Sequence, residues 1–189
     1  MRTPALLSAL LLLACAGSSP TYSEYLLGPA STGRTGRVDP PVRVALGRVS
    51  VAPYLDQAGI VVEVEAGQVR AARHHQWAEP LDAGVRAYLR AEISAAVGYE
   101  VSATPVDGIA WDYTVDVHVE RLHGTMQGMA VLDASYLVSG PDTKATEYRF
   151  HGSLPLPREG YPGVVDAEAA LARELAQSIA SALRDIDGH

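Results

Sequence analysis

The residues best placed for chemistry by type and spacing are histidines set among carboxylates. His118 lies between Asp116 and Glu120 in a stretch where Tyr113, Val115, Val117 and Val119 alternate with Thr114, Asp116, His118 and Glu120. Alternation with a period of two marks a half-buried strand, so the second set shares one wet face. An Asp-His-Glu row of that kind could relay protons, but it is also the ordinary dress of a solvated sheet face. His74 and His75 form the nearest thing to a metal motif. Neighbours on a strand point to opposite faces and cannot share one ion without distortion, so the pair reads as exposed polar residues near a loop. The chain contains no G-x-S-x-G elbow, H-E-x-x-H, Walker loop or G-x-G-x-x-G. The expectation is a protein with no catalytic residue, no metal site and no cofactor.

The remaining reactive side chain is Cys15, the only cysteine. It follows a start carrying Arg2, an apolar run from Ala5 to Leu13, and Leu12-Leu13-Ala14. The run is about nine residues, far short of the roughly 20 that span a bilayer, and reads as the core of a secretory signal. Leu12 at −3, Ala14 at −1 and Cys15 at +1 resemble the lipobox of bacterial lipoproteins. That resemblance implies cleavage before Cys15, a diacylglycerol thioether on its sulfur and an acylated amine; two or three chains anchor stably. A lone thiol cannot form an internal disulfide and is a liability in an oxidising compartment, which acylation resolves. By resemblance to lipoproteins of Gram-negative bacteria, Ala16 in place of Asp implies release to the outer membrane, facing the periplasm.

Stepping outward along the chain, residues 1–14 are the expected signal, 15–41 a lipidated tether rich in Gly, Ser, Thr and Pro, and 42–189 one domain. Tyr22 to Leu27 is an apolar island that could dock as an edge strand, and Gly28 to Pro41 is expected to be mobile. The formal charge is −7, and loss of Arg2 makes the mature chain more acidic. That argues against nucleic acid and against adhesion to anionic headgroups.

The domain reads as strands grouped with two helices. Val42, Val44 and Leu46 alternate, and the phase shift at Gly47 before Val49 and Val51 predicts a bulge. Ile60–Glu65 and Gln68–Ala72 predict a hairpin around Ala66-Gly67. Pro80 opens a helix whose stripe is Leu81, Val85, Leu89, Ile93 and Val97, ending at Gly98. Tyr99–Ala103, Met126–Val138 and the segment around Tyr148 and Phe150 are further strands. A last helix is predicted from about Asp166, as N-cap, to Ile186, with Glu168 in its first turn. The fold class is α+β: a mixed, largely antiparallel β-sheet with both amphipathic helices on one face.

With catalysis set aside, surfaces must carry the work. Trp77 either covers the core or anchors a partner, since Trp, Tyr and Arg dominate hot spots. The same two readings apply to Tyr54 and Leu55 in the Pro53-Tyr54-Leu55 turn. The segment Trp77, Ala78, Glu79, Pro80, Leu81 and the turn residues Tyr54 and Leu55 are the candidate partner or oligomer interface. Arg86 with Arg90, and Glu79 with Asp82, sit at helix spacings and are expected to face water or a partner.

These residues resemble a known pattern. Tyr22–Leu27, Val49-Ser50-Val51-Ala52-Pro53-Tyr54-Leu55, Gly59-Ile60-Val61-Val62 and Trp77-Ala78-Glu79-Pro80-Leu81, with Arg86 and Leu89, are similar in order and spacing to the ABC-type transport auxiliary lipoproteins, the PqiC-like family. Asp112–Val119, Gly124, Gly128, Tyr148-Arg149-Phe150, Gly152 and Gly160-Tyr161 continue it over nearly the whole mature chain. The tether before Pro40 is longer than that pattern. The resemblance implies a non-enzymatic lipoprotein of the outer membrane that works with a periplasmic MCE-domain protein and an inner-membrane component. Together these would move lipid between membranes and preserve the envelope. It also implies a homo-oligomeric ring. Two readings stay beside it: a tethered adaptor or regulator of another envelope machine, and a periplasmic hydrolase with an unrecognised site, which a deep pocket holding His118 with perturbed carboxylates would favour.

Overall fold

The computed structural model describes residues 21–28, 42–105, 108–141 and 143–187. Cys15, the signal and most of the tether lie outside them. The elements in order are β1 (Ser23–Tyr25), β2 (Val44–Val51), β3 (Gly59–Glu65), β4 (Gln68–Trp77), α1 (Leu81–Val97), β5 (Tyr113–Thr125), β6 (Met129–Gly140), β7 (Thr143–Pro155) and α2 (Gly160–Asp187). The strands form one seven-stranded sheet in the order β1-β4-β3-β5-β6-β7, with β2 pairing β5 beside that path. The β5–β6–β7 meander and the β3–β4 hairpin are antiparallel. β1–β4, β2–β5 and β3–β5 are parallel.

One edge of β5 serves two strands in succession. β2 lies along Tyr113–Val119, and β3 takes over at Gly124 and Thr125. The handover falls at a register shift between Val119 and Arg121, where one extra residue bends the strand. β2 carries the expected irregularity between Leu46 and Val49. Arg86 of α1 holds it from the helix side: its guanidinium donates to the carbonyls of Gly47 at 2.6 Å and Ala103 at 3.0 Å. Arg86, expected to face water or a partner, is half-buried and tied to the fold by these bonds.

The sheet is apolar on one face. Val115, Val117, Val119, Ala130, Leu132, Ala134, Tyr136 and Val138 are buried there under α2, while α1 packs on β2 and against α2. Leu171, Leu175, Ile179 and Leu183 of α2 are at most 2 % exposed, each contributing about 1.5–3 kcal/mol relative to exposure. Glycine permits the closest approach: a Cβ on Gly124 of β5 would sit 2.8 Å from a Val164 methyl of α2. Between the helices, Arg173 donates to Glu92 at 3.1 Å and to the Tyr88 hydroxyl at 3.1 Å.

Two elements depart from expectation. α2 begins at Gly160, so Asp166 lies inside the helix and is not its cap; its carboxylate pairs with Arg158 at 2.7 Å. Pro162 is tolerated because a first-turn N–H has no intrahelical acceptor to lose. Tyr99–Ala103 makes a single bridge, Ala45 to Ser102, and Pro105 cannot extend a ladder.

Candidate interaction site

The β2–β3 turn and the β4–α1 corner form one continuous rim. Ala52 continues the β2 ladder by donating to Val119 O at 2.8 Å, and Leu55 N closes the turn on Ala52 O at 2.9 Å. The turn's last residue, Ala58, accepts from Trp77 N at 2.7 Å, joining it to the end of β4. Ala78 then donates to Tyr25 O at 2.8 Å, which fastens β1 to the same corner.

Within this rim the candidate residues divide. Leu55 is 1 % exposed, Leu81 5 % and Trp77 9 %. These three are core residues of the chain and present no surface to a partner. Their order along the chain could not reveal that, because a turn leucine and a pre-helix tryptophan are apolar in either role. Tyr54 is half-buried, with its ring edge-on to His123 at 6.3 Å. Burial pushes its hydroxyl pKa up. Glu79 and Pro80 are exposed. The side chain of Glu79 folds over Gly84 in the first turn of α1, where no side chain caps the helix and a carboxylate suits the positive end. What remains at the surface is a ledge of Pro53, Asp56, Gln57, Ala78, Glu79, Pro80 and Asp82, acidic in net character.

The histidines take separate places. His118 is exposed and shares a 3.0 Å hydrogen bond with Ser50 of β2. Asp116 accepts the backbone N–H of Arg48 at 2.5 Å, so it supports the bulge rather than the imidazole. Both line a shallow depression of about 340 Å³ on the uncovered sheet face, with Arg48, Ser50 and Glu147. His74 and His75 lie inside β4 and not beside a loop. His74 leans on Tyr22 at 5.6 Å, while His75 shares a 2.9 Å bond with the Tyr25 hydroxyl and stacks on Tyr161 at 4.3 Å. The pair therefore holds β1 and the start of α2 to the sheet. Among the described residues, no three His, Cys, Asp or Glu side chains converge as a metal group would require.

Four buried polar residues escaped the sequence reading: Glu92 and Ser94 of α1, His123 and Glu168. His123 is 3 % exposed, and its Nδ1 donates to Gly124 O at 3.1 Å. Glu168 is 1 % exposed, and neither of its carboxylate oxygens has a hydrogen-bond partner. Desolvation raises its pKa well above the ordinary 4.5, which keeps it protonated well above that value. Its position, two residues past an apparent cap, disguised it as a surface carboxylate.

Comparison with known proteins bears on the whole domain. Residues 25–180 match the model of the ABC-type transport auxiliary lipoprotein component family. The chain is 25 % identical over 181 residues to the intermembrane transport lipoprotein PqiC of Escherichia coli K12, covering 94 % of this chain and 95 % of that protein. A crystal structure of an uncharacterized protein superposes with a TM-score of 0.73 at 25 % identity, over 86 % of this chain and 99 % of the other. A Xanthomonas campestris protein shares the fold with a TM-score of 0.63 at 16 % identity, over 83 % and 92 % of the two chains.

Proposed function

Because the chain belongs to the ABC-type transport auxiliary lipoprotein family, we propose that it is a non-catalytic, lipid-anchored subunit of a system that moves lipid between the two membranes of a Gram-negative envelope. The observation that carries this reading is the end-to-end match to an intermembrane transport lipoprotein. In this role Cys15 carries the acyl anchor, and Ala16 directs the chain to the periplasmic side of the outer membrane. The tether gives the domain reach, and the domain receives a periplasmic MCE-domain partner, as a ring of copies. A closed ring needs two different patches on each subunit. The acidic ledge at Asp56, Glu79, Pro80 and Asp82 is one such patch.

The test is co-purification from envelopes together with complementation of a deletion strain. The full chain should bring down an MCE-domain protein and restore resistance to membrane stress. Cys15→Ser should do neither efficiently, and Ala16→Asp should move the protein to the inner-membrane fraction. Glu79→Lys with Asp82→Lys should weaken capture at least tenfold while the melting temperature stays within a few degrees. Capture of a cell-wall enzyme in place of a transport component would overturn the reading in favour of a different tethered adaptor. Loss of complementation in His118→Ala, with folding and capture intact, would point to catalysis.

A further inference from the structure

The sheet ends on β7, a strand of 13 residues whose outer edge has no partner strand among the described residues. Such an edge offers a row of unpaired N–H and C=O groups to another chain. Lys144 near one end and Pro155 at the other blunt its extremities, but the centre reads Thr146-Glu147-Tyr148-Arg149-Phe150. Glu147 and Arg149 are exposed on the uncovered sheet face, and neither forms an ion pair among the described residues. Tyr148 is fixed from below by stacking on Tyr136 at 5.0 Å.

We propose that β7 is a self-recognition strand: two copies of this chain pair their β7 edges antiparallel about a two-fold axis beside Tyr148. The charge pattern selects both the occupant and the register. In an antiparallel pair, directly opposed residues share a face, so a two-fold axis must pass beside a single residue. With the axis beside Tyr148, Glu147 of each copy opposes Arg149 of the other, giving two ion pairs. Thr146 opposes Phe150, Ala145 opposes His151, and Lys144 opposes Gly152, so no like charges meet. An axis beside Glu147 would oppose two carboxylates, and one beside Arg149 two guanidinium groups. An edge guarded by charges of one sign repels a second copy; this one is complementary to itself. The contact is isologous, distinct from the heterologous patches that close a ring, and it holds or fails independently of that ring.

The experiment uses the full lipoprotein in detergent, its protein mass followed by light scattering and its fold by circular dichroism and thermal melting. Glu147→Arg alone and Arg149→Glu alone should each halve the mass of the assembly, because like charges then face each other twice. The double exchange, Glu147→Arg with Arg149→Glu, should restore it. In a Cys15→Ser background, Tyr148→Cys should give a disulfide-linked dimer on oxidation, whereas a cysteine at Ser153 should not. A wild-type chain with the mass of one copy overturns the proposal. So do single exchanges that leave the mass unchanged, a double exchange that fails to rescue, or the absence of the Tyr148→Cys dimer.

Discussion

Glu168 shows how far a single side chain can diverge from its place in the sequence. A glutamate near a helix start reads as a dipole partner in water; here the helix starts two turns earlier and the residue lies in the core without a hydrogen bond. Its folded pKa is raised, so between 4.5 and that value the folded chain keeps a proton that the unfolded chain has released. Stability is full below 4.5 and falls as pH rises toward the folded value. Denaturant melts from pH 5 to pH 9 should show this decline, and Glu168→Gln should flatten it. Glu168→Met should raise stability at pH 8 by about 1–3 kcal/mol, the cost of leaving a buried polar group unsatisfied. Trp77, Leu55 and Leu81 carry the complementary lesson. Composition identified them as large and apolar, but whether the core or a partner covers them depends on long-range packing, such as the hydrogen bond from Trp77 to Ala58.

At the level of elements, the sequence was most legible where one face is wet. The alternation in β5 and the fourfold stripe of α1 survive intact because each element has a buried side and a solvated one. The bulge at Gly47 was readable from its phase shift, and the Arg86 that braces it was not, because its acceptors are backbone carbonyls distant in sequence. β7 extends further to either side of Tyr148 and Phe150 than the sequence showed, because Lys144, Thr146 and Glu147 are polar and carry no apolar period. α2 begins early because Gly160 and Pro162, loop residues by habit, are compatible with a first turn. The docking of α2 on the sheet depends on the absence of a side chain at Gly124. Gly124→Ala should push Val164 away and destabilise by about 1–3 kcal/mol, as overpacking does. A denaturant midpoint lowered at constant slope would confirm it; no change would mean that α2 shifts without cost. Arg173→Met should cost about 1–3 kcal/mol by stripping the buried Glu92 of a cationic partner, again read from the midpoint.

For the molecule as a whole, no helix among the described residues is long and apolar enough to cross a membrane, and the chain is acidic. On the proposed acylation of Cys15, that anchor is expected to hold the chain at the membrane. In flotation assays with anionic vesicles, the lipidated chain should float and Cys15→Ser should stay at the bottom at every salt concentration; floating of the variant at low salt would reveal a basic surface. Chain order in the sheet has a further consequence, for the timing of folding. Strand β3 has β4 beside it in a hairpin, but β2 finds its partner strand only in β5, about a third of the chain later. A chain that emerges amino terminus first therefore exports β2 with no partner strand to join. The meander and α2 must arrive before the sheet can close, and such non-local pairing is slow. During that interval the amino-terminal segment is an unfolded, reachable substrate. A chain truncated before Tyr113 should stay protease-sensitive throughout, whereas the complete chain should gain protection in one late step.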